Sequence, residues 1–339
     1  MTTMSTKTGM RGFTVIWFGQ LVSMTGSAMT RFALLIWLWQ QTGEATPVVL
    51  MTVFSSVPGT LANLIAGPLI DRWNRKVTVM LADTAAGCAT LLLLILMTAG
   101  HLQIWQIYLA GALAGIAGTF QGLAFSTLTT SLVPKQHYTR ANGMMSLAEY
   151  VAMIGAPLLA GILISLAGIV GVLVIDLITF GIGVITLGSI PVPSPSITTE
   201  SDDDTPRQFW QEVAFGFRYI FERPGLRGLL LIIFAFAGLE ALGYPLVVPM
   251  LLARSGNNEV LVGIVQAVMG LGGIVGGVIL SLWGGSTRKI HGILIGILLT
   301  TLAGDALMGL GQTPFVWIIA GFLLECFIPL TISSNAALW

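Results

Sequence analysis

Charge is what this 339-residue chain has least of. Lys, Arg, Asp and Glu make up 9% of it, against 55% apolar residues, with a mean hydropathy of +0.89. A soluble domain carries about 25% charged residues. The shortage excludes an ordinary soluble enzyme and a disordered chain. Fifteen basic residues balance fifteen acidic ones, so net charge offers nothing to a nucleic acid. The two cysteines, Cys88 and Cys326, lie in apolar runs and build neither a disulfide framework nor a metal cluster. Three scattered histidines form no ligand motif. No G-x-x-x-x-G-K-[ST] phosphate loop occurs, so nothing points to ATP. No nucleophile–base pair or cofactor motif is present, and the reading is of a non-enzyme without metal or cofactor.

What is present is length of apolar sequence. About 20 apolar residues span a bilayer as a helix. Ten such runs are read: 13–38, 47–70, 77–99, 104–126, 143–167, 169–190, 228–252, 260–283, 290–310 and 315–338. The first is too long for the apolar core of a signal peptide and reads as a retained span. With the N-terminus in the cytoplasm, thirteen Lys and Arg residues fall on inner segments and only Arg254 on an outer loop; Arg31 lies within a span. That bias is the positive-inside pattern. The expectation is an all-α, multi-pass protein of the cell membrane, in three parts. Residues 1–190 form a six-helix bundle. Residues 191–227 form a cytoplasmic linker, with an amphipathic helix over 207–223 lying on the inner surface. Residues 228–339 form a four-helix bundle.

Between spans two and three the chain reads Gly67-Pro68-Leu69-Ile70-Asp71-Arg72-Trp73-Asn74-Arg75-Lys76. Gly67 is expected to permit close helix approach. Asp71 is an anion at a helix C-terminus, where the helix dipole disfavours it, so it needs a partner. The basic residues alone would read as anchoring. Asp83, two turns beyond Lys76, is expected to pair with Arg72 or Arg75.

This loop resembles the signature of the major facilitator superfamily of transporters. The six-span half followed by a long loop and a second half is similar too. Ala156-Pro157-Leu158-Leu159-Ala160-Gly161 looks like a weakened form of the G-P-x-x-G-G motif of the superfamily's proton-coupled exporters; as residues alone, Pro157 with small neighbours reads equally as a kinked packing site. Gly19-Gln20, Ser23, Leu132-Val133-Pro134, Arg140-Ala141-Asn142-Gly143, Asp176 and Phe180 resemble the macrolide-efflux and siderophore-exporter branch. The resemblance implies the major facilitator fold: twelve helices in two halves, a midplane cavity and rocking between two states. It also makes Gly67, Asp71, Arg72, Arg75, Lys76 and Asp83 a cytoplasmic gate. Only ten of the twelve helices are expected here, the chain ending at Trp339 as the tenth finishes.

Ionisable residues inside spans cost on the order of 2.5–3.5 kcal/mol each at the bilayer centre, and so should face a cavity or a partner. Glu240, with Tyr244 and Pro245 beside it, leads as a proton site. Glu325 is next, then Glu149 and Asp305. Arg31 could neutralise a carboxylate or bind an anionic cargo group, and Gln20 joins this substrate and proton set. Asp176 reads as structural. Gly111, Gly115, Gly118 and Gly122 in span four, and Gly272, Gly273, Gly276 and Gly277 in span eight, are expected to allow close helix packing.

The functional expectation is a monomeric secondary transporter exporting amphipathic small molecules against protons. Uptake symport and a truncated, transport-inactive membrane protein are the alternatives.

Overall fold

The computed structural model describes residues 9–191, 218, 221–286 and 288–336; the side chains of Asp71, Arg72 and Glu240, among others, are outside that description. The described residues are helical throughout, with no strand. In chain order the helices are α1 (Met10–Thr42), α2 (Ala45–Arg72), α3 (Arg75–Thr98), α4 (Ile104–Leu132), α5 (Tyr138–Ser189), α6 (Pro224–Gly243), α7 (Val247–Ser255), α8 (Glu259–Trp283), α9 (Lys289–Leu299), α10 (Ala306–Leu310) and α11 (Pro314–Ala336).

Among the described residues, eight helical segments are long and apolar enough to cross a membrane. The expected ten spans differ from this tally at two places. The runs 143–167 and 169–190 form one continuous segment, α5, but its backbone breaks at Gly168, with φ 68° and ψ −178°. That conformation is open to glycine because it has no Cβ. The run 228–252 is interrupted by a 3-10 turn at Tyr244–Leu246, which divides α6 from α7. Pro245 lacks the N–H that a continuous helix would use there. A π-helical turn at Thr300–Asp305 joins α9 to α10. The amphipathic helix expected over 207–223 lies almost wholly outside the described residues.

Polarity is inverted relative to a soluble fold. Leu166, Leu282, Leu310 and Phe234 are among many large apolar side chains left exposed, while Gln20, Asp83, Asp176 and Glu325 are buried. Lipid accepts the first group, and the bundle interior must satisfy the second. Small residues bring the helices together. A Cβ on Gly59 would come within 2.8 Å of the Gly115 carbonyl, and one on Gly115 would run into the Ser55 carbonyl, so α2 and α4 touch backbone to backbone. Gly272 and Gly276 of α8 do the same against Phe322 and Cys326 of α11. Gly118 and Gly122 differ from expectation, with nothing within 4 Å of a built Cβ, and so does Gly277. Gly67 likewise faces open space, which corrects its reading as a close-approach residue.

Helices from before and after residues 191–227 meet along α5 and α8. A Cβ on Gly161 would stand 2.7 Å from the Glu259 carbonyl oxygen, one on Gly263 would stand 2.5 Å from the Pro157 carbonyl oxygen, and Ile154 covers Gly270. The two helices therefore run antiparallel. Ala156 and Ala160, on the adjoining face of α5, are wholly buried in a core shared with Met29 and Ile36 of α1, Leu251 of α7, Val265 of α8 and Trp317 of α11. Leu147 and Tyr150 continue the same face of α5 toward the end that carries Arg75, Lys76 and Arg140, at helical spacing from Ile154. They are 52% and 41% exposed. The seam is tight at one end and open at the basic end.

Candidate functional site

The basic end is held together by side chains reaching helix termini. Asn74 caps α3, its side chain accepting from the Lys76 and Val77 amides at 3.1 and 3.3 Å. Lys76 sends its ammonium to the Gly188 and Ile190 carbonyls, at 3.0 and 2.8 Å. Those are the last carbonyls of α5, where the dipole favours a cation. Trp73 stacks on Phe120 of α4, with centroids 5.9 Å apart. The Arg75 guanidinium reaches the Thr127 carbonyl at 3.5 Å. The Asp71 and Arg72 side chains are outside the described residues.

Asp83 is placed differently from expectation. Its carboxylate does not meet Arg75. Gln20 of α1 donates its Nε2 to Oδ2 at 2.9 Å, and Gln121 of α4 donates its Nε2 to Oδ1. Gln121 also donates to Gln20 Oε1 at 2.9 Å, closing a ring of three side chains from three helices. Asp83 is 5% exposed and Gln20 2%. Sequence reasoning gave Asp83 to the gate because the arginines were near in sequence. Gln20 and Gln121 are 63 and 38 positions away from it.

Next to this ring lies a cavity of about 260 Å³. Trp17, Gln20 and Met24 of α1, Gln121 and Phe125 of α4, and Met145 and Glu149 of α5 line it. Gly118 and Gly122 border it too, which accounts for the empty space beside them. Small-ligand sites are typically ~300–1,000 Å³, mostly apolar with a few polar groups. This one is a little smaller, and its composition fits. Trp17 is fixed by donating its indole N–H to the Met144 carbonyl at 2.6 Å.

Trp17, Gln20, Met24, Ser27 and Arg31 recur at three- and four-residue steps, so one face of α1 carries them all. Ser27 donates to Asp176 Oδ1 at 3.1 Å and Thr90 to Oδ2 at 3.0 Å. The Arg31 charge also acts on Asp176. No ion pair within 4 Å joins the two among the described residues. Asp176 sits two turns inside the second arm of α5, not at its start, 3% exposed.

Of the other candidates, Glu325 and Asp305 do not line this cavity. Glu325 is buried in α11 beside Gly273 of α8, 9% exposed. Asp305 is exposed and closes the π-helical turn. Glu240 lies on α6, its side chain undescribed. Pro157 and Gly161 form the seam with α8 and Ala156 is wholly buried, so the packing role of that motif is what its contacts display. Glu149 reaches the cavity wall. Among the described residues no group of His, Cys, Asp and Glu could hold a metal ion.

At the opposite end, Gln40 donates to Glu259 Oε1 at 2.8 Å, and Trp39 to Asn257 Oδ1 at 2.9 Å. Both bonds join α1 to the start of α8.

The family model described as Major Facilitator Superfamily matches residues 16–339. The chain belongs to the major facilitator superfamily. It is thus a multi-pass membrane transporter of small molecules, not an enzyme. Macrolide efflux protein A of Streptococcus pyogenes is 24% identical over 335 residues, covering 96% of this chain and 80% of that protein. The enterobactin exporter EntS of Shigella dysenteriae is 21% identical over 318 residues, covering 93% and 73%. Among solved structures, a bacterial homologue of the iron transporter ferroportin in an inward-facing state superposes with a TM-score of 0.70 at 16% identity, over 97% of this chain and 83% of that one. A bacterial homologue of the lysosomal transporter Spinster, inward-facing and unoccupied, gives 0.67 at 15% identity, over 96% and 75%. These two likenesses concern the fold.

Proposed function

We propose that this transporter exports amphipathic small molecules by alternating access, driven by protons moving the other way. The observation that carries the reading is the asymmetry of the α5–α8 seam: Ile154, Pro157 and Gly161 pack against α8 while Leu147 and Tyr150, on the same face, are exposed. A carrier resting open on one side has this form. The basic end is taken as cytoplasmic from the positive-inside pattern, so cargo enters from the cytoplasm.

The cavity supports the cargo class. Trp17, Met24, Phe125 and Met145 offer adaptable apolar surface, and Gln20, Gln121 and Glu149 offer a few polar contacts. The macrolide and siderophore exporters among the relatives support export over uptake. Glu240 and Glu325 are proposed as proton sites on the C-terminal helices. Asp71, Arg72, Arg75 and Lys76 are proposed to close the cytoplasmic side when the carrier turns outward. Residues 1–190 and 228–339 act as the two moving bodies, with 191–227 as their link, and a single chain suffices.

The test is erythromycin tolerance in a pump-deficient bacterium expressing the chain. Raised tolerance together with lowered cell-associated drug is expected, and both should vanish with a protonophore. Increased drug accumulation on expression would instead establish uptake. Correct membrane insertion with no effect on any macrolide or catecholate siderophore would leave the inactive-protein reading in place.

A further inference from the structure

We propose that Asp83 is a proton-binding carboxylate, and that Gln20 and Gln121 transmit its protonation state to the cargo cavity. This rests on the coupled-transport reading and adds a site to it.

Asp83 is 5% exposed and both of its oxygens accept from neutral amides. Buried anions in a membrane bundle ordinarily meet a cation or a metal. Asp176, bonded by Thr90 seven residues along α3 from Asp83, lies within the field of the Arg31 charge. Among the described residues Asp83 has only amides in direct contact. From α1 it faces Gln20, and from α4 Gln121, and α4 carries no Asp, Glu, Lys, Arg or His at all. On its own helix Arg75 and Lys76 lie about two turns away, bonded to the Thr127 and to the Gly188 and Ile190 carbonyls. From α5, Glu149 stands on the far wall of the cavity and Asp176 is held at Thr90. A single proton converts this anion to a neutral acid.

The geometry then fixes the consequence. A carboxylate only accepts hydrogen bonds, so both glutamines must turn their NH2 groups to it. A carboxylic acid carries one O–H donor and needs an acceptor. An amide supplies one by rotating its oxygen inward, which turns its NH2 outward. Gln20 and Gln121 are also cavity-lining residues. Proton uptake from the cytoplasm-side crevice therefore exchanges acceptor for donor on the wall that touches cargo. Release of the same proton restores it. Neither residue alone does this, because Gln121 bonds Asp83 and Gln20 together.

The experiment is infrared difference spectroscopy of the purified full chain in lipid, stepped from alkaline to acid buffer without cargo. A carboxylic-acid C=O band should appear in the wild type, be lost in Asp83→Asn, and shift in Gln121→Leu as the acid loses its amide partner. Asp83→Glu guards against misfolding of the Asn variant and should return a displaced band. In liposomes Asp83→Asn should retain erythromycin counterflow and lose pH-gradient-driven transport. An acid band unchanged in Asp83→Asn, or no shift in Gln121→Leu, overturns the proposal. If erythromycin is not moved by the wild type, the spectra still decide on Asp83, and only the export reading fails.

Discussion

Gly263 of α8 lies directly on the carbonyl of Pro157 in α5, so that a methyl group there would stand 2.5 Å from the oxygen. The contact joins the two parts of the chain at the sealed end. It also shows what the Ala156–Gly161 segment does in this state, which is to let two backbones touch. Gly263→Ala should force the seam apart, at an overpacking cost of about 1–3 kcal/mol. Thermal stability in detergent should fall, and access of a thiol reagent to a cysteine placed at Ala160 should rise. Gly118→Ala, with open space around it, is the control that should leave stability unchanged.

Gln40 and Glu259 hold the same end from the polar side, at 2.8 Å. If that end opens in each cycle, tying these positions together stops transport. The double substitution Gln40→Cys with Glu259→Cys, bridged by a short bifunctional thiol reagent, should reduce efflux to background while each single variant stays active. Full activity in the bridged protein would show that this end does not move.

Lys76 spans from α3 to the final carbonyls of α5. Lys76→Met removes a cation from a helix C-terminus and unsatisfies its carbonyls. A loss of about 1–2 kcal/mol is expected for a partly buried dipole contact, with Lys76→Arg recovering part of it. The check is the melting temperature of both variants in one detergent.

Asp71→Asn should slow turnover severalfold while leaving cargo binding intact, since the role proposed for it is in closing the cytoplasmic side. Initial rates against equilibrium binding of labelled erythromycin separate the two. Glu240→Gln should remove the pH dependence of efflux without impairing insertion.

Much of the fold was legible because lipid imposes a coarse rule: apolar runs of bilayer length become helices. Gly168 separated two spans in the sequence and breaks α5 in the structure. Pro245 marks the interruption between α6 and α7, within the run 228–252 that reads as one span in the sequence. The π turn at Thr300–Asp305 has no such marker, because nothing in TTLAGD excludes an ordinary helix. The site was less legible. Counting residues locates depth in the membrane but not which helix faces meet. Asp83 was therefore assigned to nearby arginines, while its partners Gln20 and Gln121 come from other helices and are uncharged. The 3-4-3-4 recurrence of Trp17, Gln20, Met24, Ser27 and Arg31 was the available signal. The four glycines of α4 looked equivalent in sequence, yet Gly111 and Gly115 pack on α2 while Gly118 and Gly122 border the cavity.

Proton flow and cargo flow are proposed to be coupled in opposite directions through this bundle. The most direct measurement is erythromycin movement in liposomes containing only the purified chain, with an imposed pH gradient and no ATP. Drug should accumulate in the more acidic compartment against its own gradient, and collapse of the pH gradient should release it. Equal drug levels on both sides at every imposed gradient, from protein shown to be inserted and folded, would contradict the account.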